Sequence, residues 1–175
     1  MRLYGLSILR VIRGKSTLLV SASDLSILPL DDRGVIAEFL VTFTKQIAER
    51  TPTGQPPSTQ EDSYVFHVSD YENLVGVLVS DEDYPAGPAL ALLAKILHDF
   101  AISVPNSTNV DSLNISFPQL EGYLIEYQDP RRAESIMREQ REVDEAITAA
   151  LHELERAKAS VLTSTRREKP PYVIT

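Results

Sequence analysis

Residues 64–103 read YVFHVSDYENLVGVLVSDEDYPAGPALALLAKILHDFAIS, and this stretch decides the fold. Tyr64–Val68 and Leu74–Val79 are short runs rich in Val and aromatic side chains, parted by a polar turn, which predicts a β-hairpin. Asp81-Glu82-Asp83-Tyr84-Pro85 closes it. The apolar period then lengthens: Leu90, Leu93, Leu97 and Phe100 line one side of a helix from Pro88 to Ser103, and Leu92 and Ile96 widen its apolar face.

The same order of hairpin and helix occurs upstream. Arg2–Val11 and Ser16–Ala22 carry apolar residues on both faces, with Gly14-Lys15 in the short gap, and read as two largely buried strands. Ile27-Leu28-Pro29-Leu30 is short and interrupted by Pro, an edge strand at most. From Val35 to Arg50, Ile36, Leu40, Phe43 and Ile47 recur at helical spacing, with Asp31 and Asp32 near the start. Thr51–Asp62, with Pro52, Gly54, Pro56 and Pro57, reads as a loop. Beyond Ser103 come a polar loop and a short helix bearing Leu120, Leu124 and Tyr127. Strand, strand, helix, strand, strand, helix, helix predicts an α+β fold, an antiparallel sheet flanked by helices.

Charge divides the chain. Overall, 17 Lys+Arg against 25 Asp+Glu give a net charge of −8 over 175 residues. An acidic chain of this kind is a poor nucleic-acid binder. Residues 1–130 hold 8 basic and 17 acidic side chains, whereas residues 131–169 hold 9 basic and 8 acidic ones with no Gly, Pro or aromatic residue. The first part has the composition of a globular domain and the second that of a solvated or coiled-coil helix. The expected division is therefore 1–128 as the domain, 131–169 as the helix and 170–175 as a short tail, with Gln128-Asp129-Pro130 at the join. With zero Cys, the chain offers no disulfide, thiolate site, Cys nucleophile or Cys for a lipid anchor. No uninterrupted apolar run approaches a bilayer span and no signal-peptide order opens the chain, so the expected location is cytoplasmic.

The helical segment follows a seven-residue period, with Ile136, Val143, Ala150 and Ala157 in one register and Gln140, Ile147, Leu154 and Val161 in the other. Two Ala and one Gln make this a weak seam for a homodimer, so it needs a more apolar partner. Either it packs on its own domain or it forms part of an intermolecular coiled coil.

Chemistry finds little to stand on. His67, His98 and His152 fall in different elements without metal-ligand spacing, and His67 alternates with apolar neighbours as a satisfied strand histidine does. Asp81-Glu82-Asp83 reads as a solvated turn. Neither a Gly-rich phosphate loop nor a Gly-x-Ser-x-Gly elbow is present. The expectation is a protein that is not an enzyme, with no catalytic residue, no metal and no cofactor. On the first helix, Phe39 and Phe43 with Ile36 and Leu40 exceed a single apolar stripe. Either all face the sheet, or a Phe opens into a groove that accepts another helix or peptide.

Met1-Arg2-Leu3-Tyr4 opening a strand, Glu38-Phe39 with Thr42-Phe43-Thr44 and Glu49-Arg50, Gly76-Val77-Leu78-Val79 followed by Asp83-Tyr84-Pro85, and Leu92-Leu93-Ala94-Lys95-Ile96-Leu97 resemble the longin-domain R-SNARE family, above all its prenylated, synaptobrevin-like Golgi branch. The passage Tyr127-Gln128-Asp129-Pro130, Ala133-Glu134, Ile136-Met137-Arg138, Val143-Asp144-Glu145 is similar to that family's junction of longin domain and SNARE helix, and the similarity extends to about residue 147. The resemblance implies a longin fold, a profilin-like sheet between helices, followed by a partial R-SNARE helix acting in vesicle-mediated transport and membrane fusion. It implies as partners other SNARE helices, zippered along Ile136, Val143, Ile147, Ala150, Leu154, Ala157 and Val161, or this chain's own domain, through a groove at Ile36, Phe39, Leu40 and Phe43. The family's central-layer Arg corresponds to Arg156 if several residues are missing before it, while an ungapped match puts Ser160 there. Family membership also implies peripheral attachment to Golgi or vesicle membranes. Without an anchor Cys, the expected form is non-fusogenic. The alternative is a longin-type adaptor, tethering or regulatory protein that binds a small GTPase or coat component.

Overall fold

A computed structural model describes residues 1–50, 57–104 and 115–167, with side chains to residue 162. In chain order the elements are β1 (Leu3–Ile12), β2 (Lys15–Ser23), α1 (Leu30–Arg50), β3 (Ser58–Glu61), β4 (Tyr64–Tyr71), β5 (Leu74–Ser80), α2 (Ala86–Ser103), α3 (Gln119–Glu126) and α4 (Pro130–Arg167). The strands form one antiparallel sheet in the order β2-β1-β5-β4-β3. Two compact units divide the chain, Met1–Met137 and Arg138–Thr175.

β5 is buried at every residue, which is why Leu-Val-Gly-Val-Leu-Val reads as a continuous apolar run rather than an alternation. Val75, Val77 and Val79 face α1 in a layer with Leu9, Leu40, Ile47, Ala48, Phe66 and Val68. Leu74 and Leu78 face the other way, into the layer built by Leu6, Ile8, Leu92, Leu93, Ile96, Leu97 and Phe100. Gly76 lies between them on that second face. A Cβ built there would sit 2.8 Å from Leu93 Cδ1 and 3.2 Å from Leu97 Cγ, so the absent side chain lets α2 settle on the sheet. Eight residues of α2 are buried, among them Leu92, Leu93, Ile96 and Leu97. Over its 18 residues α2 has a mean hydropathy of 1.3, long and apolar enough to cross a bilayer by length and composition, although Lys95, His98 and Asp99 interrupt the apolar run. The apolar face is spent on the sheet.

The first hairpin turns through Arg13 and Gly14, both at positive φ (51° and 76°), with Ile12 opposite Lys15. Two left-handed residues in a two-residue loop match the twist of the strands they join, and Gly supplies one of them without steric cost. Between β1 and β2 the register shifts at Ile8/Leu9, a bulge that gives β2 one extra residue, Leu19.

Three local expectations are corrected. Ile27–Leu30 forms no strand: Pro29 precedes a helix that starts at Leu30, five residues before Val35. The guanidinium of Arg33 donates to the Leu28 carbonyl (3.0 Å) and the Ser26 carbonyl (2.8 Å), occupying the main-chain acceptors that an edge strand would use. Ser58–Glu61, read as loop, is the edge strand β3, its polar Ser-Thr-Gln-Glu sequence suited to an edge and silent in any apolar pattern. The rest of the expected loop, residues 51–56, the polar loop at 105–114 and the short tail at 170–175 lie outside the described residues.

Replacing Gly76 with Val is expected to lower the unfolding free energy by roughly 1–3 kcal/mol, the usual cost of overpacking a filled core. Chemical denaturation of the full chain checks it, and an unchanged midpoint would mean that α2 moves away from the sheet at little cost.

Candidate functional site

The described residues hold two apolar surfaces of opposite character. The first lies where α1 crosses β4. Ile36, Phe39 and Phe43 are half-buried and Leu40 is buried, all in the α1 layer of the core. The rings form a chain: Phe39 to Phe43 (centroids 5.5 Å apart), Phe43 to Phe66 (5.1 Å), Phe39 to Tyr64 (6.2 Å) and Tyr64 to Tyr4 (5.1 Å, edge-on). These are ordinary aromatic packing distances. All four candidate groove residues therefore pack toward the sheet, leaving one edge of Ile36, Phe39 and Phe43 uncovered. Val35 and Val41, elsewhere on α1, are exposed outright.

The second surface is α4. Its first two turns belong to the domain: Ala133 and Ile136 are buried in the α2–α3 core layer and Met137 packs against it. Ile136, the first seam residue expected, is thus already covered. Beyond Met137 the picture reverses. Val143, Ile147, Leu151 and Leu154 are 53–57% exposed and Val161 64%. At 3.6 residues per turn Val143, Ile147, Ala150, Leu154, Ala157 and Val161 fall along one line of the helix, and Leu151 flanks it. Leu151 was invisible to a strict heptad reading because it sits beside the seam, one helical turn after Ile147. Arg156 falls about 140° and Ser160 about 100° from that line, so a single straight helix brings neither into the seam.

The candidate histidine and acidic turn are absorbed by the fold. His67 is 1% exposed, with Nδ1 2.9 Å from Ser58 Oγ and Nε2 3.0 Å from Ser80 Oγ. Ser80 Oγ gives its own proton to the Asp81 carbonyl (3.0 Å), so it accepts from Nε2–H, and Nδ1 is left to accept from Ser58. Burial pushes the ring down to a pKa of about 4, favouring this neutral form. Asp81 accepts from the Tyr84 amide (3.1 Å) and pairs with the Met1 amine (2.9 Å). Among the described residues no group of three or more His, Asp or Glu is placed to hold a metal ion.

Residues at the join were missed as participants. Gln128 binds both main-chain groups of Leu3, and Tyr84 Oη donates to the Tyr127 carbonyl at 3.0 Å. A contact spanning 125 residues of sequence leaves no local pattern to find.

Comparison with known proteins agrees with this architecture. The family model for the regulated-SNARE-like domain, Longin, matches residues 29–124. The synaptobrevin homolog ykt6 of Schizosaccharomyces pombe is 44% identical over 147 residues, covering 83% of this chain and 75% of its own. The synaptobrevin homologs YKT6 of Eremothecium gossypii and Saccharomyces cerevisiae are 41% and 35% identical over 150 residues, with the same coverage.

His67 supplies a pH test. The unfolded chain takes up its proton near the ordinary 6.5 and the folded chain only near 4, so acid favours unfolding between those values. Its contribution to stability is complete above pH 6.5 and is lost toward pH 4, by up to about 3 kcal/mol. Denaturant melts of the chain and of His67→Gln at pH 7, 5.5 and 4 are expected to show the variant losing less. Parallel curves would mean that the ring titrates normally.

Proposed function

The chain belongs to the longin-domain R-SNARE family, a family of vesicle-mediated transport and membrane fusion, and on that premise we propose that the exposed line of α4 is the segment that zippers with other SNARE helices. The supporting observation is that line itself: Val143, Ile147, Leu151, Leu154 and Val161, each more than half exposed on a helix otherwise covered in charge. A helix of that kind gains most by burying its apolar line against partner helices, since alone it leaves that line in water. Ala150 and Ala157 supply little area of their own, which favours bulkier partners over a second copy of this helix. The occupied register runs from Val143 to Val161, with Ile136 joining only if its core contacts are given up.

The α1 surface is proposed as the place where the helix, its own or a partner's, docks when it is not zippered. Supporting this are the uncovered edges of Ile36, Phe39 and Phe43. On this reading the protein is cytoplasmic in part and peripheral on Golgi or vesicle membranes in part, as its family implies. An adaptor role resting on the sheet and α1 alone is not favoured, because every relative named above is a synaptobrevin homolog.

The test is the full chain carrying Ile147→Asp and Leu154→Asp, mixed with recombinant SNARE helices and followed by helical circular dichroism and sedimentation. Two carboxylates in a buried seam are expected to weaken assembly by at least about two orders of magnitude. The melting transition of the domain stays unchanged. Undiminished assembly would remove α4 from the function. A Phe39→Ala, Phe43→Ala variant is expected to assemble faster than the parent chain, having lost the competing docking surface.

A further inference from the structure

β2 ends at Ser23 opposite Gly5, so β1 runs on past its neighbour to Leu3. The side chain of Gln128 takes the place of the missing strand. Leu3 N donates to Gln128 Oε1 at 3.0 Å, and Gln128 Nε2 donates to Leu3 O at 2.9 Å. One primary amide thus reproduces the paired bonds of an antiparallel ladder. The adjoining carbonyl, that of Tyr127, accepts from Tyr84 Oη, and Tyr84 is itself 3% exposed. Two residues after Gln128 the helix begins, and its first apolar residues go into the core: Ala133 is 0% and Ile136 7% exposed.

Ile136 lies on the same line of α4 as Val143, Leu154 and Val161, yet it is buried in the domain. It belongs to two structures that exclude each other, the domain core and the first rung of the seam. We infer that Gln128 is a positioning residue for α4: it latches the root of the helix to β1, so that the segment free to assemble starts after Met137, and its release lets Ala133 and Ile136 leave the core as one local unit. Gln128 joins the main chain of β1 by two bonds. The latch is reversible because it is made of neutral hydrogen bonds at a half-buried side chain, and local opening of such a segment needs far less than global unfolding. The inference rests on the reading of α4 as a zippering helix for its purpose, but not for its existence.

Since the chain has no Cys, single introduced thiols report cleanly. Ala133→Cys sits in the latched root, Ala48→Cys in the α1 layer on the opposite face, and Val143→Cys on the exposed line. Each is made in the full chain with Gln128 intact and with Gln128→Ala or Gln128→Glu, and labelled with Ellman's reagent. Glu keeps the acceptor for Leu3 N but loses the donor to Leu3 O. Loss of the latch is expected to speed labelling at position 133 about tenfold or more, with Glu intermediate, while the thiol at position 48 stays as protected as before. The thiol at position 143 labels fast throughout. Equal acceleration at positions 133 and 48 would show that Gln128 only adds to global stability, and no acceleration at 133 in either variant would show that the root is held without it; either result overturns the inference. Failure of the zippering reading would appear separately, as assembly that survives Ile147→Asp with Leu154→Asp.

Discussion

β5 has no face turned to water, and the rest of the domain is arranged around that fact. Its Val75, Val77 and Val79 require one apolar layer and its Leu74 and Leu78 require another, so a helix must lie on each side of the sheet. α1 answers the first requirement through Leu40 and Ile47. α2 answers the second, at a distance set by Gly76. β1 and β4 then take their registers from β5, and β2 and β3 fall to the edges. A change at Gly76 is consequently felt in Leu93 and Leu97, and through them in the layer that also holds Leu124, Ala133 and Ile136. The root of α4 is thus tied to the centre of the sheet by contiguous packing.

Much of this was legible in the sequence, and the parts that were not share a physical cause. The strands β1, β2, β4 and β5 announce themselves by apolar runs, and α2 by its period, because burial on a fixed face imposes a pattern on neighbouring residues. β3 has no such face to bury, so Ser-Thr-Gln-Glu carried no signal. The early start of α1 depends on Arg33 reaching back to the carbonyls of Ser26 and Leu28, a contact that no periodicity encodes. Among the candidate site residues, the line from Val143 to Val161 was readable because it repeats. The split at Ile136 was not, since a residue at the end of a heptad series looks the same whether it meets a partner helix or its own core. Gln128 marked a boundary in the sequence, but its role at Leu3 is a product of the tertiary fold alone.

The two apolar surfaces differ in how far each is satisfied. Phe39 and Phe43 already share rings with Tyr64 and Phe66, so anything that docks there adds to a finished interface and gains only their uncovered edges. The α4 line has no such covering, and each of its large side chains leaves more than half its area in solvent. Covering the α4 line would bury more apolar area than covering the α1 surface.

The bulge opposite Ile8/Leu9 acquires a meaning in this light. A chain with an exposed apolar line on one helix carries a second hazard, the open rims of its own sheet, where a stray strand can be recruited from any neighbour. Here one rim is β3, four polar residues long, and the other is β2, where the extra Leu19 interrupts the ladder and Lys15 sits at the exposed end. Neither rim offers a straight, unbroken row of main-chain groups for an incoming strand. The route to fibrous aggregation by strand addition is thus obstructed at both rims of the sheet.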